Sequence, residues 1–294
     1  MKVTSLKIDF HCHLFYKANT PELMMKQFEV FNGYGFAERI RENLARIDPI
    51  SDENIILKTS AHARRAGLDR IVLLSASANE NTLMKDWVAA EPDLFIPFFN
   101  PPEKSEDSAE ITQAVEEALS DEGFKGLKML LPFRGKYVNE KKLYPAYELA
   151  LKYNVPVLFH TGYPPPGTPG PRMKLSMAQP AFLDEVIASF PKLKIIMSHC
   201  GYPWSDVAVA MACQFPNVYL DISNLMYMMP NKLREILLHA REVIGLDKIL
   251  FGSDGFCPEM MEFCVYLFEG VDYLTPQEIE KIMGLNAQKV LKLR

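Results

Sequence analysis

The chain alternates short apolar runs with longer segments of helical periodicity. The runs are Leu6–His13, Arg70–Ser75, Phe95–Pro101, Gly126–Leu130, Val155–Gly162, Lys194–Cys200, Val218–Ser223 and Ile249–Asp254. Between them, Ser108–Ser120, Glu140–Tyr153, Ala178–Phe190 and Lys232–Ile244 carry apolar residues at i, i+3, i+4, the spacing of one helix face. Strands that are apolar throughout are covered on both sides, so this alternation predicts βα units around a parallel sheet. Eight such units in 294 residues predict a (β/α)8 TIM barrel, with a doubly wound sheet as the alternative. No glycine-rich nucleotide turn follows the first run, and polar residues gather at the C-terminal ends of runs one, five, six and eight. A barrel brings those ends around one mouth, whereas an open sheet spreads them along an edge. No linker or composition shift divides the chain, so residues 1–294 are expected to form one domain.

Two segments depart from the rhythm. Asn19–Leu68 is too long for a simple βα connection and predicts an inserted helical segment near the mouth after the first strand. Pro164–Pro171, directly after the fifth run, is too rich in proline and glycine for regular structure. It reads as a substrate lid or as a rigid surface loop.

Composition narrows the class. Apolar residues make up 48% and charged residues 23%, as in ordinary globular proteins. With a net charge of −5 and no Lys/Arg run, nucleic acid is not an expected partner. No apolar stretch reaches the roughly 18 residues that span a bilayer. The start, Met1 to Phe10, has no signal-peptide pattern. The five cysteines (Cys12, Cys200, Cys213, Cys257, Cys264) form no CxxC pair, which points to reduced thiols in the cytoplasm.

Candidate chemistry sits at the ends of the runs. Side chains alternate along a strand, so Asp9, His11 and His13 are predicted to share one face, with Phe10 and Cys12 on the other. Two imidazoles about 7 Å apart on one strand can converge on a cation, and imidazole suits zinc, iron or manganese. His160 closes the fifth run, His199 the sixth and Asp254 the eighth, where TIM barrels keep their active sites. The other two histidines, His62 and His239, lie in helical segments flanked by Lys and Arg and are expected at the surface.

Taken together, the D-x-H-x-H of Asp9–His13, then His160, His199 and Ser253-Asp254, resemble the amidohydrolase superfamily. The likeness is closest to its amidohydrolase 2 branch, which includes aminocarboxymuconate-semialdehyde decarboxylase-like enzymes. The C-terminal Met283–Leu291, with its Asn286-Ala287 pair, resembles that branch's closing helix. The resemblance implies that His11, His13, His160 and Asp254 ligate one divalent metal, Zn2+ first and Mn2+ or Fe2+ next. It places His199 beside the metal as acid/base and gives Asp254 a second, catalytic role. Such an ion lowers the pKa of a bound water from 15.7 towards about 7, and Asp254 can accept that water's proton.

Other residues are less defined by sequence. Lys128 lies inside the fourth run, where burial of an unpaired lysine is costly; a substrate-carboxylate contact, an internal salt bridge and a metal-bridging role remain open for it. Tyr163, Arg172, Tyr202 and Trp204 follow the fifth and sixth runs and are candidates for an acidic or aromatic substrate, or for loop packing. Asp221 and Ser223 are placed to support the site from behind. Cys12 and Cys200 should face away from it. Met226–Met229 reads as an apolar patch on a loop.

The function expected from this set is metal-dependent hydrolysis of a small ester, lactone or amide. The alternative is non-oxidative decarboxylation of a small unsaturated or aromatic carboxylic acid at the same metal. The complete ligand set argues against a barrel that has lost catalysis. A homodimer is the expected assembly.

Overall fold

The computed structural model describes residues 5–162 and 173–293. Eight strands run β1 (Ile8–His13), β2 (Arg70–Leu74), β3 (Phe95–Phe99), β4 (Gly126–Met129), β5 (Val157–Phe159), β6 (Ile195–Met197), β7 (Val218–Asp221) and β8 (Ile249–Leu250). Each pairs in parallel with the next, in the order β1 to β8. Backbone hydrogen bonds from Phe10 N to Phe251 O (2.9 Å) and from Asp254 N to His11 O (2.7 Å) join β1 to the segment after β8. The fold is the predicted TIM barrel.

Its core has two layers, as the apolar runs require. Ile8, Phe10, Val72, Leu74, Phe98, Leu158, Ile196 and Leu250 pack inside the barrel. Alternate strand residues such as Ile71, Leu127, Phe159 and Leu220 pack outward against the helices. The inner layer is tight: a Cβ on Gly126 would stand 2.5 Å from the Phe98 ring, so β4 has to begin with glycine. At the N-terminal end Ala287 and Val290 of the helix Asn286–Leu291 join the inner layer. Asn286 donates to the carbonyls of Leu246 (2.8 Å) and Ile249 (2.7 Å), which explains the Asn-Ala pair physically. It pins β8 while its neighbour plugs the barrel.

The insertion after β1 is helical as predicted, with helices Pro21–Gln27, Gly35–Leu44 and Ile55–Arg65. Their starts are written locally; Thr20 and Asn54 accept hydrogen bonds from first-turn amides, each such cap contributing about 1 kcal/mol. Phe28 reaches Phe256 beyond β8, with ring centroids 5.7 Å apart, so the insertion covers one side of the mouth. Pro164–Pro171, Tyr163 and Arg172 lie outside the described residues. All five cysteines are free thiols. Among the described residues no helix is long and apolar enough to cross a membrane.

Three expectations need correction. Strand parity fails within β1, where the register with β2 slips between Asp9 and Cys12. This bulge turns Phe10 inward against Phe98, centroids 5.8 Å apart, and aims Asp9 at the loop beyond β8, where Ser253 N donates to it. His62 is buried, not superficial: its Nδ1 stands 2.5 Å from Glu262 and its Nε2 3.6 Å from Glu259. Its Lys/Arg flanks look solvated in the sequence, yet Arg65 and Lys58 pair with those same carboxylates. His239 is exposed as expected. Finally, Met226 belongs to a buried short helix, Leu225–Met228, rather than to a loop.

Candidate metal centre and its cavity

The β1 bulge leaves both His11 and His13 on the barrel side, since it adds one residue after Asp9 and Cys12 then packs outward. A Cβ on Gly252 would lie 2.5 Å from that of His11; the glycine makes room for the histidine. His160 and Asp254 follow the last residues of β5 and β8, and His199 lies in a single turn, Ser198–Gly201. His199 and Asp254 both have left-handed backbones, φ 54° and 47°. Such geometry costs about 1 kcal/mol or more per residue and persists where the surroundings enforce it.

The four imidazoles and the carboxylate form one cluster. Ring centroids are 5.4 Å apart for His11–His13, 5.2 Å for His11–His199 and 5.0 Å for His160–His199. Asp254 Oδ1 is 3.7 Å from His11 Nε2 and 3.8 Å from His13 Nε2. The tightest trio is His11, His199 and Asp254, with one ligand atom from each within 4.8 Å of the others. His160 joins through Nδ1, 3.4 Å from His199 Nε2.

Hydrogen bonds behind the rings decide which nitrogens face inward. His11 Nδ1 lies 2.9 Å from Asp221 Oδ2, and His13 Nδ1 2.9 Å from Leu74 O. An Nδ1–H donated to each oxygen leaves Nε2 as a lone pair for a cation. His199 Nδ1 is held by Ser223, 3.1 Å from its carbonyl and 2.8 Å from its hydroxyl. Asp221 is the hub: its Oδ1 accepts from His199 N (3.1 Å), Ser223 N (3.0 Å) and the Ser223 hydroxyl. Asp221 and Ser223 thus hold two of the histidines, as the sequence suggested. Cys12 and Cys200 pack in the outer core.

Electrostatics suit ligation. Burial, reinforced by the Lys128 cation, lowers His13 to about 3 and holds His11 well below its ordinary value. Burial and the neighbouring His11 lower His199 to about 3, while burial and His199 hold His160 down as well. These rings are therefore uncharged at neutral pH, the form that binds metals. Burial raises Asp254 to about 7, against the pull of Lys128. Lys128 is fully buried in β4 and donates to His11 Nε2 at 3.2 Å. It is an internal partner of the cluster, lowered by burial to about 8.

A divalent cation fits this donor set. Neutral imidazoles and one carboxylate converge, and His160 Nε2 is buried without a hydrogen-bond partner. Ligands at about 2.1 Å from one ion stand at most about 4.2 Å apart, so small side-chain shifts would close the trio.

The cluster forms the floor of a cavity of ≈ 370 Å³. Its walls are Leu130, Phe133 and Arg134 after β4, Ala76 and Glu80 after β2, and Phe256 after β8. Tyr202 and Trp204 are half-buried and, among the described residues, are not part of this lining. The sequence reading missed the residues after β2 and β4 because those strand ends carry no histidine. The rule that barrel sites sit at C-terminal strand ends would have found Phe133 and Arg134.

A (β/α)8 barrel with four histidines and an aspartate at its C-terminal mouth defines a metal-dependent catalytic scaffold of the kind the sequence resembles. The family model for Amidohydrolase of the amidohydrolase 2 type matches residues 8–293, and the chain belongs to this family. Protein fluG of Emericella nidulans is 32% identical over 108 residues, a stretch covering 36% of this chain and 12% of that protein. An uncharacterised TIM-barrel protein of Bordetella bronchiseptica superposes with a TM-score of 0.74 at 23% identity, over 97% of this chain and 98% of its own. The 5-carboxyvanillate decarboxylase of Novosphingobium aromaticivorans, complexed with manganese and 4-hydroxy-3-methoxy-5-nitrobenzoic acid, gives 0.66 at 17% identity, over 99% and 97%.

Proposed function

We propose that this chain is a metal-dependent hydrolase of a small ester, lactone or amide, acting as one catalytic domain. The observation that carries the reading is the convergence of four uncharged imidazoles and the Asp254 carboxylate on the floor of a small cavity. His11, His13, His160 and Asp254 would hold the ion, zinc suiting these donors and manganese or iron(II) being accepted by them. When bound, a divalent cation supplies positive charge that polarises a carbonyl and acidifies water. Asp254 accepts the proton of the attacking water, its Oδ2 facing Asn224 Nδ2 at 3.4 Å. His199, fixed through Nδ1 by Ser223, presents the unprotonated Nε2, which takes over the proton released by the water through Asp254 and hands it to the leaving group. Phe133 and Phe256 keep bulk water from the reacting carbon.

A second reading, non-oxidative decarboxylation, is favoured by those same two aromatic walls, which fit a flat unsaturated or aromatic acid. There a proton drawn from water passes through His199 Nε2 to the carbon that loses CO2. Turnover in ¹⁸O-water separates the two. Label in the product supports hydrolysis; unlabelled product with released CO2 replaces it by decarboxylation. Both readings fail if the histidine cluster binds no divalent metal.

A further inference from the structure

The cavity lining carries one fixed positive charge among the described residues. Beside the four imidazoles, the acids Glu80 and Asp254 and the apolar walls, Arg134 is the one lysine or arginine of the lining. Arg134 ends the single turn Leu131–Arg134 that follows β4, and Gly135 closes that turn with φ 71°. Its guanidinium makes one hydrogen bond and one longer ion-pair contact. Nη2 donates to Ala76 O at 2.6 Å, tying the β4 loop to the β2 loop. Nε stands 3.6 Å from Glu103 Oε2, beyond hydrogen-bond reach.

A guanidinium has five N–H donors, and only one of these hydrogen bonds is made within the described residues. A merely structural arginine would spend more of them. Glu103 accepts from Leu130 N through Oε1, and its buried Oε2, without a hydrogen-bond partner, keeps a 3.6 Å ion-pair contact with Arg134 Nε. Glu80 accepts from Tyr16 Oη (2.9 Å) and Ala76 N (2.7 Å), so the remaining guanidinium donors have no acidic acceptor among the described residues. The cavity thus has three sectors: the histidine floor, the flat faces of Phe133 and Phe256, and a guanidinium with donors to spare.

We propose that Arg134 binds a second anionic group of the substrate, a carboxylate set on a small flat skeleton whose reacting carbonyl or carboxyl lies against His199 and Asp254. The assignment rests on the function proposed above, and it holds for either bond being broken. It makes Arg134 a specificity-determining residue: a planar carboxylate matches the guanidinium fork with two parallel hydrogen bonds.

The test is isothermal titration calorimetry of the full chain loaded with manganese, using benzoate, isophthalate and terephthalate as probes. Benzoate can occupy the floor alone, whereas each dicarboxylate can also reach Arg134. At least one dicarboxylate should bind about tenfold or more tightly than benzoate. Arg134→Met should erase that difference, the dicarboxylate losing about tenfold more affinity than benzoate. Arg134→Lys keeps the charge but loses the fork; it should retain only part of the difference, and it serves as the readout if the methionine variant unfolds. Benzoate binding with no gain from a second carboxyl in the wild type overturns the Arg134 assignment alone, as does equal weakening of all three probes by Arg134→Met. No binding of benzoate itself would instead remove the reading of the floor, and this proposal with it.

Discussion

At the barrel mouth four imidazoles crowd around Asp254 and a buried lysine; on the flank a single imidazole, His62, is clamped between Glu259 and Glu262. Both regions take histidine, carboxylate and a basic side chain out of water, yet they set opposite charge states. At the mouth Asp221 and Asp254 stand beside the rings, but burial together with Lys128 and the other imidazoles outweighs them and protonation is disfavoured. On the flank burial also opposes the charge, but Glu259 and Glu262 on either side outweigh it and raise His62 above its ordinary value. The balance of like and opposite charges around the buried ring, rather than burial alone, decides whether a histidine becomes a ligand or a cation. The mouth is built to receive a positive charge from outside, and the flank carries its own.

The largest break in this comparison comes at the mouth. Asp254→Asn removes the proton acceptor and a candidate ligand, and should lower kcat about 10³-fold with reduced metal content by atomic emission. His199→Ala should lose similar activity while keeping its metal; loss of metal there would move His199 into the ligand set. On the flank, Glu262→Ala leaves His62 and Arg65 without their shared carboxylate. It should cost about 3 kcal/mol of unfolding free energy, read by urea denaturation, with kcat per folded molecule unchanged.

Smaller effects sharpen the contrast. Ser223→Ala removes the hydroxyl from beside His199 Nδ1, leaving the residue's carbonyl there, and removes a donor to Asp221. Loss of such a supporting partner should reduce activity or metal affinity about 10- to 100-fold, with little change in stability. The pH dependences should run in opposite directions. A raised His62 stabilises the fold fully below the ordinary histidine value near 6.5, and that contribution disappears as pH rises through the raised value. The stability gap between wild type and His62→Gln should therefore shrink from pH 5.5 towards pH 8, the approximate limits of histidine titration. His13 and His199, lowered to about 3, take up protons more readily once unfolded, so they destabilise the metal-free protein as pH falls below about 6.5. A gap that widens with rising pH would contradict the flank assignment.

Much of the site was legible because strand ends and histidines coincide: His160, His199 and Asp254 each finish an apolar run, and a barrel has one mouth for them all. The β1 bulge was not legible. Parity put Asp9 with His11 and Phe10 opposite, since nothing in Ile8–His13 marks an added residue; the bulge follows from pairing with β2 and from the room at Gly252. His62 was misplaced for a related reason. Its basic neighbours look solvated until Glu259 and Glu262, some 200 positions later, are brought against them.

The sequence by itself determined the alternation of strands and helices, hence the parallel barrel, and the chemical identity of the donors at its mouth, because both depend on local periodicity and residue type. Tertiary structure decided which nitrogen of each histidine faces inward, which histidine is charged, and that Arg134 shares a cavity with the cluster. Those outcomes depend on distances between residues far apart in the chain. Charges and hydrogen bonds act over a few ångströms of space, and only the closed barrel sets that spacing.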